Sequence, residues 1–455
     1  MMTDNKVKKI FIQPFARQAG RFMLMIISIF LVCMIVVVGV LQLWSPGKPT
    51  SYLDENGNPM DGSISEKIHV HINGVEQGMF IQSKDVTHPV LLYLHGGIPD
   101  YFLTQRYPTG LEEYFTVVWW EQRGSELSYS AGVPPGTMTV EQLVSDTLEL
   151  TNYLRHRVGK EKIYLMGHSG GSFIGIHAAA RAPELYYAYI GVAQMSNQLK
   201  SEKLAYDYML EQFKENGNTS MVRKLESAQV TMTDGIPASY YSLRDIAMDN
   251  LGIGTTHDMK SVVRGLLLPS LQFREYTLSE KINLWRGKSQ SGVSSMWEEM
   301  IAMDLSKQVT ELDLPVYFFE GIYDYTVNYT LAKDYFEKLD APVKGFYAFK
   351  ESAHSPMFEE PEKTQKILLE DVMTGSNKLA DINRWLKVEV NTYLLGQLRL
   401  FQRRGSLCFT QFMMMEEKEY GLGCRWHAAD AANPASSSAM SYARLRLTGI
   451  CSSIS

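Results

Sequence analysis

The longest apolar run in the chain is Phe22–Leu41, FMLMIISIFLVCMIVVVGVL. It holds 20 residues without a charge, and Ser28 is the only clearly polar one. As a helix it would extend ~30 Å, the thickness of a bilayer's hydrocarbon core. A cleaved signal peptide should have a shorter apolar region ending at a small-x-small site. GVLQLWSPGKPT offers no such site. The pattern then changes. Between about Glu66 and Met373, short β-rich runs alternate with longer helical patterns. The strand candidates are KIHVHI, PVLLYLH, FTVVWW, KIYLMG, YYAYIGV, LPVYFFEG and VKGFYAF. Several are apolar at consecutive positions, as expected of strands covered on both faces. VEQLVSDTLELTNYLRHRV carries a helical stripe of Leu143, Val144, Leu148, Leu150 and Leu154. Strand–helix alternation of this kind predicts an α/β fold with a mostly parallel sheet.

The alternation stops after YYAYIGVAQ and resumes only at LPVYFFEG. A gap of this length is too large for an ordinary loop. Residues 196–312 are therefore expected to form an inserted helical cap over the carboxyl edge of the sheet. The chain then divides into a basic N-terminus (1–21), a transmembrane anchor (22–44), a linker (45–65), an α/β core (66–195 and 313–376), the cap (196–312) and a disordered tail (377–455). The tail departs in composition. Its basic residues are 3 Lys and 7 Arg, against 19 Lys and 10 Arg in 45–375, and it includes AADAANPASSSAMS.

Charge refines the picture. Lys6, Lys8, Lys9, Arg17 and Arg21 precede the apolar run, against one acid, Asp4. This asymmetry predicts a single-pass cell-membrane protein with its N-terminus in the cytoplasm and the α/β domain outside it. The whole chain of 455 residues has a net charge of −6, which leaves no basic excess for nucleic acid. The four cysteines, at 33, 408, 424 and 451, have no CxxC spacing, so neither a disulfide scaffold nor a structural zinc site is expected.

The chemistry centres on Gly167-His168-Ser169-Gly170-Gly171, a G-x-S-x-G pattern between the apolar run KIYLM and the helical SFIGIHAAAR. Small residues permit a tight strand-to-helix turn that presents the Ser169 hydroxyl, and the helix N-terminus offers free N–H groups. A serine needs a base to become nucleophilic. His354 lies in KESAHSP after the last strand candidate, and Asp324 lies in IYDYTV after the one before it. The order Ser169, Asp324, His354 is that of the α/β-hydrolase triad. His95-Gly96-Gly97 after PVLLYL, with the N–H of Gly170, supplies the expected oxyanion hole. His69 and His71 share one strand face, but no third ligand accompanies them, so no metal site is assigned. Glu298 and Glu299 are expected on a solvated helix face.

LLYLHGG, FTVVWWEQRGSELS, KIYLMGHSGGS and the surroundings of Asp324 and His354 together resemble the proline iminopeptidase-related branch of the α/β hydrolases, over about residues 66–373. The resemblance implies an eight-stranded-type sheet, a helical cap and a cofactor-free serine mechanism. It gives Ser169 the role of nucleophile, Asp324 of acid and His354 of base, with Gly97 and Gly170 as oxyanion donors. The family commonly has HGGPG where this chain has HGGIPD, and DQRG where it has Glu121-Gln122-Arg123-Gly124. A Trp often follows the nucleophile, where Gly170 stands here. These changes alter the pocket wall and leave the triad intact. The expected activity is removal of N-terminal residues from small peptides. A carboxylic ester hydrolase uses the same machinery, and a non-catalytic binding module of the same fold is the alternative from another class. An epoxide hydrolase or dehalogenase would need an Asp in place of Ser169.

Overall fold

The computed structural model describes residues 4–383, apart from 131, 134 and 292–294. Nearly all of the segment expected to be a tail lies outside the described residues. The chain opens with helix α1 (Asp4–Leu43), whose apolar part, Gly20–Leu43, is long enough to cross a membrane and has its side chains exposed. Strands β1 (Ile64–Ile72) and β2 (Val75–Ser83) form a hairpin. Its two loop residues, Asn73 and Gly74, both have positive φ (46° and 77°), the backbone of a tight hairpin turn.

The remaining core elements are β3 (Val90–Leu94), β4 (Thr116–Trp120), α2 (Val140–Val158), β5 (Ile163–His168), α3 (Gly170–Arg181) and β6 (Tyr186–Val192). After an insertion come β7 (Val316–Gly321), then Tyr329–Lys338, then β8 (Lys344–Phe349). The sheet order is β1-β2-β4-β3-β5-β6-β7-β8, closed by the two-residue β9 (Ile382–Asn383). Strands β3 to β8 pair in parallel, whereas β1, β2 and β9 pair antiparallel with their neighbours. Every residue of β3, β4, β5 and β7 is buried, because helices and loops cover both faces. The layers on the two faces form separate cores. One centres on Leu92, Leu165, Phe318 and the buried side of α2 and α3; the other on Tyr93, Trp119, Phe319 and Tyr347.

Helix α2 begins where the Thr139 side chain accepts from Gln142 N–H and ends at Gly159 (φ 63°). Leu148 is only half-buried in its expected stripe, and Asp146 and Thr147 are buried instead. Asp146 is fully paired. Its oxygens accept from Arg123 Nε (2.7 Å) and Nη2 (2.9 Å), and from Gln77, Asn73 and Gln142 (2.8–2.9 Å).

The insertion between β6 and β7 carries α4 (Gln198–Glu215), α5 (Thr219–Glu226), α6 (Ala238–Leu251), a π-helical turn (Val263–Leu267), α7 (Leu268–Gln272), α8 (Leu278–Ser291), α9 (Ser295–Ala302) and α10 (Leu305–Gln308). Helices α4 to α6 pack around a core of their own, with Tyr206, Met209, Phe213 and Tyr240.

Two expected boundaries need correction. The segment 45–65 is not a free tether: β1 already starts at Ile64, Gly47 N–H donates to Arg274 O (3.1 Å), and Thr50 N–H donates to Glu275 Oε1 (2.9 Å). The folded core also runs past 376. Buried Asp371 accepts from the N–H groups of Lys378 (2.9 Å) and Leu379 (2.8 Å), and β9 pairs with β8. A buried carboxylate needs such donors, so this stretch closes the sheet edge.

Candidate active site

Ser169 sits between β5 and α3 with φ 55° and ψ −121°, a conformation that L residues avoid. Close packing holds it there. A Cβ on Gly167 would lie 2.4 Å from Gly171 O, and one on Gly171 would lie 2.1 Å from Leu94 O. Only glycine fits at either position, so helix α3 can start directly against the end of β3. The elbow is thereby forced, and the partly exposed Ser169 side chain projects at its tip.

The sheet brings the other two expected residues to the same edge. Asp324 is fully buried just after β7; its Oδ1 accepts from Val327 N–H (2.9 Å) and its Oδ2 lies 2.8 Å from His354 Nδ1. That bond assigns the His354 proton to Nδ1 and leaves Nε2 with a lone pair. His354 follows β8 and is placed against the elbow by its backbone. Its N–H donates to Gly254 O (3.2 Å), and its carbonyl accepts from His168 Nε2 (2.8 Å), the residue before Ser169. The rings of His168 and His354 are 4.9 Å apart between centroids. No hydrogen bond joins the Ser169 hydroxyl to His354 among the described residues. Burial pushes the His354 pKa below its ordinary 6.5; the Asp324 charge and hydrogen bond pull it up, and the charge of His168 pushes it down again. The ring is neutral at pH 7 and able to accept a proton.

Gly96 abuts Ser169, since a Cβ there would lie 2.7 Å from Ser169 Cβ. Gly97 faces open space, with no heavy atom within 4 Å of its Cβ position. Gly170 opens α3, so its N–H is one of the free donors of a helix start. The side chain of Met300, from α9, comes within 3.7 Å of the Cβ position of Gly170. The inserted segment thus reaches the elbow through Met300 and the His354 backbone through Gly254.

The loop after β4 supports this edge. Gln122 Nε2 donates to His95 O (2.7 Å) and Gln122 N–H to His95 Nε2 (3.2 Å), while His95 Nδ1 lies 2.8 Å from Gly96 O. Burial lowers the His95 pKa to about 4, which keeps the ring neutral with Nε2 as acceptor. Arg123 grips Asp146 at the same time. Gln122 and Arg123 of the EQRG motif therefore fix the glycine loop and helix α2 together.

His168 and Asp100 were not anticipated. His168 Nδ1 lies 3.1 Å from Asp100 Oδ2, which also accepts from Tyr93 OH (2.6 Å). Burial alone would lower the His168 pKa, but the hydrogen bond and charge of Asp100 raise it overall. The only available signal was its place in the motif, where any residue is allowed. His69 and His71 are exposed on β1; Glu298 is exposed, and Glu299 Oε2 accepts from Val140 N–H at the start of α2 (3.0 Å).

Comparison with known proteins gives this arrangement its context. The chain is 31% identical over 309 residues to the probable aminopeptidase YbaC of Bacillus subtilis (strain 168), covering 67% of this chain and 95% of that protein. It belongs to the proline iminopeptidase-related α/β hydrolases. This hydrolase shares its fold with the proline iminopeptidase of Mycobacterium smegmatis (TM-score 0.50, 13% identity, 68% of this chain and 98% of that one). The proline iminopeptidase-related protein TTHA1809 of Thermus thermophilus aligns at a TM-score of 0.47 with 20% identity, over 68% of this chain and 98% of that one. No protein-family model matches the chain.

Proposed function

We propose that this hydrolase is a membrane-anchored aminopeptidase of proline iminopeptidase type, which releases N-terminal residues from small peptides through Ser169, His354 and Asp324. The observation that carries the reading is the 2.8 Å contact between His354 Nδ1 and Asp324 Oδ2 beside a Ser169 held at positive φ. The relative's name, probable aminopeptidase, supports the substrate class.

In the proposed reaction, His354 Nε2 takes the Ser169 proton as Oγ bonds to the peptide carbonyl carbon. The carbonyl oxygen gains the negative charge and receives the N–H groups of Gly97 and Gly170. Collapse breaks the C–N bond, and His354 returns its proton to the departing amine. Water then attacks the acyl-enzyme, again with His354 as base, and Ser169 leaves with its proton restored. Asp324 holds the imidazole in the required tautomer and stabilises its cation. Residues 196–312 act as a lid, since Met300 borders the elbow and Gly254 holds the backbone of His354. Helix α1 anchors the protein through Phe22–Leu41, and the arrangement requires no metal or cofactor.

Labelling the full-length protein with a fluorophosphonate tests the nucleophile: the wild type should label and Ser169→Ala should not. Aminoacyl-arylamides and short acyl esters offered side by side test the bond. Turnover of the esters alone would replace the peptidase reading with that of a carboxylic ester hydrolase. Labelling without turnover of either would leave an activated serine and remove the proposed substrate class.

A further inference from the structure

The residues that leave helix α1 are stitched to one part of the inserted segment. Lys281, at the start of α8, is fully buried, and its ammonium donates to Trp44 O (3.2 Å), Ser45 Oγ (2.8 Å) and Leu271 O (2.7 Å). Pro46 bridges to Thr277, and Gly47 N–H donates to Arg274 O. Trp285 Nε1 donates to Ser270 Oγ (3.1 Å), which clamps α8 to α7. Arg274, Thr277 and Lys281 are therefore held against residues 44–47, just past the end of α1.

The adjoining surface carries exposed aliphatic and basic side chains. Val263, Leu268 and Ile282 are 52%, 44% and 47% exposed, and Ile282 follows Lys281, which reaches Trp44. From 259 to 290 the basic residues are Lys260, Arg264, Arg274, Lys281, Arg286 and Lys288, and the acids are only Glu275 and Glu280. Both acids are engaged: Glu275 accepts from Tyr101 OH and Thr50 N–H, and Glu280 pairs with Lys67 at 2.9 Å. Arg264, Arg274 and Arg286 are exposed. A chain with net charge −6 has thus concentrated an excess of positive charge and bare aliphatic side chains beside its apolar helix.

We propose that residues 259–290 form a bilayer-binding face, whose partner is the anionic phospholipid surface of the membrane that α1 spans. The inference rests on the anchoring reading above. If Phe22–Leu41 fills the hydrocarbon core, Trp44 and Ser45 lie at the headgroup level, and Lys281 holds the segment there too. Aliphatic side chains dip below the headgroups while arginines pair with phosphates, as in interfacial amphipathic surfaces. The lid would then rest on the membrane, and the orientation of the active site would be set by lipid contact as well as by the single helix.

Hydrogen exchange on the full-length protein in nanodiscs is the test. One set contains phosphatidylcholine alone and the other adds phosphatidylglycerol. Amides of 263–286 should exchange at least roughly tenfold more slowly in the anionic discs, as expected if two or three arginines each engage a headgroup. High salt should erase the difference, and amides of α6 should not change. The double variant Arg264→Glu, Arg286→Glu should lose the slowing; Leu268→Ser with Ile282→Ser, both exposed, should weaken it. Equal exchange in the two discs, or slowing spread evenly over α6 as well, would overturn the proposal. Protein that an alkaline carbonate wash strips from vesicles would overturn the anchor itself, whereas protein that stays embedded with unchanged exchange rejects only the binding face.

Discussion

Asp324→Asn separates the chemistry from the fold. The side chain keeps its size, and its Oδ1 can still accept from Val327 N–H. What changes is the contact with His354 Nδ1 at 2.8 Å. An amide can present its N–H₂ there, which forces the ring into the other tautomer and puts the proton on Nε2, where the base is needed. Loss of a correctly oriented, charge-stabilised imidazole in a serine triad costs about 10⁴ in kcat, or about 5.5 kcal/mol of barrier. The charge has a second effect. Both the Asp324 charge and its hydrogen bond raise the His354 pKa against the larger effect of burial. Without them that pKa falls further. The rate of the wild type should rise with pH along a limb centred below 6.5, and in Asp324→Asn the limb should move lower still. The assay is kcat/KM for an arylamide between pH 4 and 9, with circular dichroism to check that the fold persists. A plateau within a factor of about ten of wild type would contradict the assigned role. So would a limb that moves to higher pH.

The other predictions concern groups around the site. His168 lowers the His354 pKa by its charge, so His168→Gln should shift the acid limb upward, opposite to Asp324→Asn; a limb that does not move would reduce His168 to a packing residue. Asp146→Ala should cost about 3–5 kcal/mol in denaturant unfolding, because Arg123 would stay buried without its counter-charge. The paired change Arg123→Met, Asp146→Leu should recover part of that loss, and a double variant no more stable than the single would refute the cause. Burial, then the neighbouring charge of Glu121, pushes the Glu126 carboxyl well above 4.5, and burial pushes Glu121 up to about 8. The folded protein keeps protons there that the unfolded chain releases. This stability is complete below about pH 4.5 and is lost as pH rises toward about 8. Glu126→Gln should flatten that fall in Tm, and an unaltered fall would show that the pair does not titrate in this range.

Much of the candidate site was legible because chemistry of the proposed kind depends on order along the chain and on strand ends. Apolar runs marked the strands covered on both faces, and Ser169, Asp324 and His354 each lie within five residues after one of three such runs. Strand β2 was missed for a physical reason. In VEQGMFIQS a Glu, a Gln and a Gly break the apolar pattern, although Gln77 is buried with partners in Asp146 and Trp120. The Asn73-Gly74 dipeptide could have revealed it, since these residues favour the two positive-φ positions of a hairpin turn. The link between His168 and Asp100 had no comparable signal. It joins residues 68 apart through side chains that meet only once β3 and β5 lie side by side.

The ends of the core show the same limit. Composition changes near 377, and a boundary drawn on composition falls there. Asp371, however, is buried within a helical turn, and its carboxylate needs donors that the helix does not supply. Lys378 and Leu379 give their N–H groups, Ser376 its hydroxyl (2.7 Å) and Tyr347 its phenol (2.7 Å). The chain is thereby led back along β8, where Ile382 and Asn383 pair with Phe346 and Gly345. A single buried acid carries this core past the point where the composition changes. The same logic holds at the other end, where buried Lys281 recruits Trp44 and Ser45. In both places a buried charge draws in residues beyond the boundary that composition suggests, a three-dimensional condition that local residue content does not encode.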